Sequence, residues 1–300
     1  MSNSKFAIWL EAARPRTLPL ALASIVTGAA VAMWQGRFHA GITVLALLTA
    51  TLLQILSNLA NDYGDAVKGT DKDRVGPRRA VQSGLITPQA MKRAMLLVLL
   101  LTLLSGGVLI LLACQKPEDI LGFLVMGVLA IVAAITYTVG NKPYGYMGLG
   151  DISVLIFFGL LGVGGTYYLQ TGHFEAMVLL PALGCGLLAT AVLNLNNLRD
   201  IDTDRQCGKN TLAVRMGPLW GRRYHLLLLA GALLSLALYA ALAVHTAVIW
   251  LFLLASPLLL RHGVAVWKEP NGAALRPLLE QVVKGALLTN VLFAAGLVLS

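Results

Sequence analysis

Two stretches of the chain concentrate side chains that could do chemistry together. The first carries Asn58, Asn61, Asp62, Asp65, Lys68, Asp71, Asp73 and Arg74, and the second Asn194, Asn196, Asn197, Asp200, Asp202, Asp204, Arg205 and Lys209. Each begins as amides at the end of an apolar run, passes into carboxylates three or four residues apart, and ends in Lys, Arg and Gly. On a helix, positions i, i+3 and i+4 share a face. Asn196, Asp200 and Asp204 therefore line up, as do Asn58, Asp62 and Asp65, with Asn61 and Asp65 as an overlapping pair. Like charges at that spacing repel, and a cation between them removes the repulsion. Mg²⁺ suits the pattern, because it is typically held by one or two carboxylates while substrate phosphates and water complete its octahedron.

Basic residues supply the other half of such a site. Arg14, Arg16, Lys68, Lys72, Arg78, Arg79 and Lys209 flank the acids, and a divalent cation with Arg and Lys is the usual clamp on a diphosphate. Arg14, Lys68, Arg78 and Lys209 are the candidates for direct phosphate contact. Between the two acid clusters lies a third segment, Tyr137 through Asp151, with Gly140, Lys142, Pro143, Tyr144, Tyr146, Gly148 and Gly150. Its Gly and Pro content makes it a shaped turn region. Its tyrosines suit either a membrane-interface belt or the stabilisation of a carbocation by ring faces.

The elements that must position these residues are membrane helices. Only 12% of the 300 residues are charged, 57% are hydrophobic, and the mean hydropathy is +0.76. A soluble globule cannot hide so much apolar surface. Composition thus excludes a soluble enzyme, a disordered chain and a disulfide-rich module. Cys114, Cys185 and Cys207 are too few and too scattered for a disulfide frame or a metal cluster. The spacing of apolar runs predicts an all-α bundle of nine spans, near residues 18–34, 42–59, 95–113, 120–139, 152–169, 176–195, 224–244, 247–260 and 286–299. The first run is longer than the core of a cleavable signal peptide and is expected to stay. With the N-terminus cytoplasmic and the C-terminus opposite, 21 of the 23 basic residues fall on the cytoplasmic side, as positive-inside sorting requires. Eleven of the 14 acids share that side, which sorting does not require. One cluster alone reads as a solvated helix end. Two matched clusters on one side, starting at membrane depth, read as a site, since ionisable groups near hydrocarbon are costly and usually functional. The net charge of +9 then reflects topology and a phosphate clamp rather than nucleic acid.

Asn61 aligns with Asn196 and Asp65 with Asp200, which suggests a weak internal repeat of a helix pair and its loop around 42–79 and 176–215 within one domain spanning 1–300. On these residues, together with Arg14 through Pro19, Gln54 through Lys68, Ala134 through Asp151, Asn194 through Thr211, and Lys284 through Asn290, the chain resembles the UbiA superfamily of membrane prenyltransferases over essentially its whole length. The first acid motif and the tyrosine-rich loop resemble most the branch that prenylates 1,4-dihydroxy-2-naphthoate. The resemblance implies nine helices in a bacterial inner membrane with the active site on the cytoplasmic side. It implies polyprenyl diphosphate and 1,4-dihydroxy-2-naphthoate as substrates, Mg²⁺ as cofactor, and release of diphosphate and CO₂. The superfamily pattern Asn-x-x-x-Asp-x-x-x-Asp maps onto Asn196, Asp200 and Asp204. In the first motif it maps onto Asn61 and Asp65 and then meets Gly69, so Asp71, Asp62 or water takes the third position. Lys142, five residues after Tyr137, matches a basic position of the corresponding loop and joins the diphosphate contacts, and Tyr137 becomes the neighbour of the allylic cation. Another branch, such as 4-hydroxybenzoate prenylation, shares the metal chemistry without CO₂ loss. A secondary transporter is the rival of a different class, but its polar groups would lie near mid-membrane on broken helices.

Overall fold

Ser4, Thr87 and Thr211 each turn a side-chain oxygen back onto the first free N–H groups of a helix, accepting from Ala7 (3.2 Å), Ala90 (3.2 Å) and Val214 (3.3 Å). Pro19, Pro88, Pro117, Pro257 and Pro277 occupy first-turn positions, where the missing N–H costs nothing. The helices so started are α1 (Lys5–Ala13), α2 (Leu18–Trp34), α3 (Ala40–Lys68), α4 (Pro88–Ala113), α5 (Pro117–Thr136), α6 (Gly150–Thr171), α7 (Ala176–Arg199), α8 (Ile201–Gln206), α9 (Leu212–Ala243), α10 (Ala247–Lys268) and α11 (Ala273–Val298). They belong to a computed structural model that describes residues 4–69 and 79–300, and every regular element among the described residues is helical.

Eight of these helices are long and apolar enough to cross a bilayer, and α1 with α2, bent by 51°, makes a ninth span. The protein is thus a polytopic membrane protein, and each expected span has its helix. Two helices outrun their apolar cores. α3 continues for 29 residues, through Asp62 and Asp65, until Gly69, at φ 71°, ends it. α9 starts at Leu212 and is broken by Gly217, at φ 75°, followed by Pro218, before its apolar run begins. These extensions carry the chain from the hydrocarbon into the polar end of the bundle.

In lipid the helices gain no hydrophobic drive to associate, so close packing of small residues matters most. α6 shows this: its middle, Leu155–Gly165, is wound as a wide π-type helix, and a Cβ on Gly159 would stand 2.6 Å from the carbonyl oxygen of Ala182. α6 and α7 therefore meet backbone to backbone. Larger side chains fill the centre, with Tyr167, Tyr239, Phe252 and Phe293 fully buried in one half and Leu188, Leu195 and Leu198 in the other. α5 has only Ala130 buried and turns Leu121, Val125 and Val128 outward, as lipid-facing residues should.

The two ends differ. At one end, the turns before α3 and between α6 and α7 are pinned by Gln35 donating to Glu175 (2.8 Å) and by the His39 N–H donating to Gln170 (2.7 Å). At the other end converge the α1–α2 turn, the C-terminal turns of α3 and α7, and the connections after α5 and α8. The described residues of both acid clusters lie there.

Candidate active site

The polar end covers a cavity of about 1550 Å³ that runs down into the bundle. This exceeds the roughly 300–1,000 Å³ of ordinary small-molecule sites. Its deep walls are apolar, with Ile25, Leu109, Ile110, Met126 and Gly127 among them, while Asn61, Asp65, Arg79, Asn196, Arg199 and Lys209 stand at its polar mouth. One compartment is therefore suited to a long apolar tail, and its opening to a charged head.

α3 brings Asn58 through Lys68 of the first cluster to the polar end on one continuous helix, as their spacing predicts. Its members then divide by role. Asn58 faces away and donates to the Ala13 carbonyl (2.9 Å) and Thr17 Oγ1 (3.1 Å). It thereby holds the turn in which Arg14 lines the cavity at φ 52°. Such a left-handed conformation costs a non-glycine residue of order 1 kcal/mol and needs an external brace. Asp62 is buried, and its two oxygens accept the backbone N–H groups of Ala80 (2.9 Å) and Val81 (3.1 Å). It anchors the returning chain. Asn61 Oδ1 accepts from Thr138 (3.1 Å), whose hydroxyl also reaches the Ala60 carbonyl. This contact depends on Gly64: a Cβ there would lie 2.7 Å from Thr138 Oγ1 and 2.8 Å from its carbonyl oxygen. Asp65 is buried between Arg79 Nη2 (2.9 Å) and the hydroxyl of Tyr146 (2.8 Å).

The second cluster bends where a straight helix was expected. α7 stops at Arg199 and α8 starts at Ile201, with Asp200 at φ −96°, ψ 13° between them. The i to i−4 bonds nevertheless persist across the joint, from Asp200 N to Asn196 O (3.2 Å) and from Asp204 N to Asp200 O (2.8 Å), so the three residues keep neighbouring positions. Arg199 and Asp200 form a fork of two bonds, 2.7 and 2.5 Å. Lys209 Nζ lies 3.4 Å from Asp204 Oδ1. In both cases the basic partner, not the acid, lines the cavity.

Tyr137 lines the cavity beside Tyr144, the rings 5.3 Å apart and edge to face. Tyr144 is fixed by donating to the Ala133 carbonyl (2.9 Å) and by a bond with Ser153 (3.0 Å), and its burial pushes its hydroxyl pKa up, so it remains a neutral donor. Lys68 and Lys142 do not line this cavity. They border a separate surface basin of about 620 Å³ with Asn141, Tyr146 and Cys207. Asp71 and Arg78 lie outside the described residues.

Among the described residues, no three carboxylate, imidazole or thiolate groups gather closely enough to hold a metal alone. The donors at the mouth are amide and carboxylate oxygens, which fit a hard divalent cation that draws further ligands from phosphate and water. Arg79 stood among the basic residues flanking the acids and Tyr146 among the tyrosines of the third segment, but the sequence did not mark them, or Arg199, as the partners of the central carboxylates. The arginines stand next to or near the acids in sequence, but each also fitted the general positive bias of that side.

Residues 21–290 match the UbiA prenyltransferase family. The chain is 58% identical over 298 residues to the 1,4-dihydroxy-2-naphthoate octaprenyltransferase of Escherichia coli (strain K12), covering 99% of this chain and 97% of that one. It is 55% identical over 306 residues to the enzyme of the same description from Haemophilus influenzae, covering 100% and 98%. Among solved structures, a UbiA homolog from Aeropyrum pernix K1 superposes with a TM-score of 0.70 at 16% identity, over 95% of this chain and 98% of that one. A UbiA homolog from Archaeoglobus fulgidus bound to GPP and Mg²⁺ gives 0.69 at 15% identity, over 98% and 100%.

Proposed function

The chain belongs to the UbiA prenyltransferase family, and on that premise we propose that it transfers a polyprenyl group from polyprenyl diphosphate to 1,4-dihydroxy-2-naphthoate, releasing diphosphate and CO₂ and forming demethylmenaquinol in menaquinone biosynthesis. The observation that carries this reading is the joining of an apolar cavity of about 1550 Å³ to a mouth where amide, carboxylate and basic groups of both acid clusters meet. A prenyl diphosphate has that division of character.

Asp65 and Asp200, with Asn61, Asn196 and Asp204, are the groups we assign to a divalent cation on the diphosphate. The third ligand on the α3 side falls to Asp71 or water, since Asp62, although it lines the cavity, is held by two backbone N–H groups as an anchor of the returning chain. Such a cation supplies neutralisation of the charge that grows on the departing diphosphate. Arg79 and Arg199 each hold one of the two central carboxylates. When a diphosphate enters, each guanidinium can give up its carboxylate and turn to phosphate oxygens, Arg199 with the fork it now offers Asp200. Arg14 and Lys209 line the mouth and add contacts. Lys68 and Lys142 border the neighbouring basin, and Arg78, outside the described residues, is a further proposed diphosphate contact from the sequence alone.

The allylic C–O bond then breaks, and its electron pair leaves with the diphosphate. The apolar walls keep water from the cation, and Tyr137, which lines the cavity, is the residue we assign to stabilising the charge. The carboxyl-bearing ring carbon of the acceptor attacks, forming the C–C bond. The bond to the carboxylate breaks, CO₂ departs, and that electron pair restores the aromatic ring. The site faces the cytoplasm of a bacterial inner membrane, on the argument from positive-inside sorting.

The test is purified protein with a polyprenyl diphosphate, 1,4-dihydroxy-2-naphthoate and Mg²⁺. A product lacking the carboxyl group, formed with equal CO₂ and diphosphate, supports the reading. Transfer to 4-hydroxybenzoate with the carboxyl retained, and none to the naphthoate, overturns it.

A further inference from the structure

Tyr146 is the point at which the two acid-bearing segments meet. Its hydroxyl donates to Asp65 Oδ1 at 2.8 Å. Its ring lies under Lys68 Nζ, 4.9 Å from the centroid, and under Lys209 Nζ, at 5.7 Å. Its carbonyl accepts from the N–H of Asn210 at 3.0 Å, and the neighbouring Met147 carbonyl accepts from Arg215 at 2.7 Å. The connection after α5 is thus stitched to the end of α3 on one side and to the connection after α8 on the other. Gly148, at φ 72°, lies against Arg215, where a Cβ would stand 3.1 Å from the guanidinium carbon.

The physical consequence is a concentration of charge in a fixed geometry. Two ammonium groups near one ring repel each other, and the ring's negative face offsets part of that cost. Lys209 also stands 3.4 Å from Asp204. A ligand that brings phosphate to the two lysines relieves that repulsion, and a cation it carries takes up the carboxylate charge of Asp65. We infer that Tyr146 is a positioning residue for the diphosphate and its divalent cation: its hydroxyl sets Asp65, and its ring sets Lys68 and Lys209. This rests on the reading of the mouth as a diphosphate site and adds a division of labour within one side chain. The hydroxyl serves the cation, and the ring serves the phosphate.

The experiment measures binding rather than turnover. Mn²⁺ binding to purified protein is followed by electron paramagnetic resonance with geranyl thiodiphosphate, whose bridging sulfur resists ionisation. Binding of the same analogue without metal is followed by calorimetry. Tyr146→Phe keeps the ring and removes the hydroxyl, so Mn²⁺ affinity should fall by about tenfold, the weight of one bond to a charged group, with metal-free analogue binding unchanged. Tyr146→Leu removes the ring as well, and metal-free analogue binding should then fall by about fivefold. Lys68→Met should reproduce only the loss of analogue binding, independently of how well Tyr146→Leu folds. Equal binding by wild type and Tyr146→Phe in the Mn²⁺ titration overturns the inference while leaving the site reading intact, and so does an equal loss of metal-free analogue binding in Tyr146→Phe and Lys68→Met. Wild-type protein that binds neither probe overturns the site reading and this inference with it.

Discussion

The guanidinium of Arg199 lies along the carboxylate of its chain neighbour Asp200, with Nε 2.7 Å from Oδ1 and Nη2 2.5 Å from Oδ2. Both side chains are buried, and of the two only Arg199 lines the cavity. Adjacent residues meet in this way because the chain leaves helical geometry at Asp200. The arrangement stores a carboxylate and a fork that suit a cation and a phosphate.

Asp200→Asn should therefore lower kcat by at least about 100-fold, the scale of losing one fixed charge at a reacting centre. Arg199→Lys should retain the charge and lose the fork, raising KM for the prenyl diphosphate by about tenfold. Steady-state kinetics on correctly inserted protein checks both. Near-wild-type constants for either variant would remove the pair from the site.

Asp62 makes a contrasting prediction. Its oxygens accept two backbone N–H groups at 2.9 and 3.1 Å. Asp62→Ala leaves the buried Ala80 N–H and the half-buried Val81 N–H unpaired, at a cost of about 1–3 kcal/mol for the first and less for the second. Thermal unfolding in detergent should show a Tm several degrees lower. Residual activity of the folded fraction should greatly exceed that of Asp65→Asn. An unchanged Tm with abolished turnover would return Asp62 to the ligand set.

Much of this division was out of reach of spacing alone. The acid clusters, their shared face on α3 and the nine spans are short-range patterns, and the helix periods that reveal them are local. The bond between Asp65 and Tyr146 joins residues 81 positions apart, and only the folded connection after α5 creates it. Asp62 and Asp65 look alike as letters on one helix face, yet one meets backbone donors and the other meets an arginine. Lys142 matched a basic position by its offset from Tyr137, but the glycines and Pro143 turn that loop so that it borders the surface basin instead of the main cavity.

The apolar depth of the cavity should set the accepted tail length. Gly127 lines it, and a Cβ there meets nothing within 4 Å. Gly127→Phe should fold normally and fill the tail space. Competition between geranyl and long-chain diphosphates should then shift by about tenfold towards the short donor, since a few lost methylene contacts reach that scale. An unchanged ratio would place the tail elsewhere.

At the opposite end, bonds from Gln35 (2.8 Å) and then from His173 (3.2 Å) hold the Glu175 carboxyl below its ordinary pKa. A depressed folded pKa adds stability above the unfolded value of about 4.3 and loses it as pH falls through the folded value. Wild type should exceed Glu175→Gln in Tm by about 1–2 °C at neutral pH, as for an exposed polar contact. The gap should close as pH falls through the lowered folded value. A gap that persists in acid would deny the carboxylate its part in the turn.

The central claim is that one mouth, built from both acid clusters, drives prenyl transfer with loss of the acceptor's carboxyl group. The most direct measurement follows 1,4-dihydroxy-2-naphthoate labelled in its carboxyl carbon, incubated with a polyprenyl diphosphate, Mg²⁺ and wild-type, Asp65→Asn or Asp200→Asn protein of equal thermal stability. Wild type should release the label as CO₂ in step with prenylated product, and each variant should release at least about 100-fold less. Label retained in the wild-type product, or released at wild-type rate by both variants, would contradict the account.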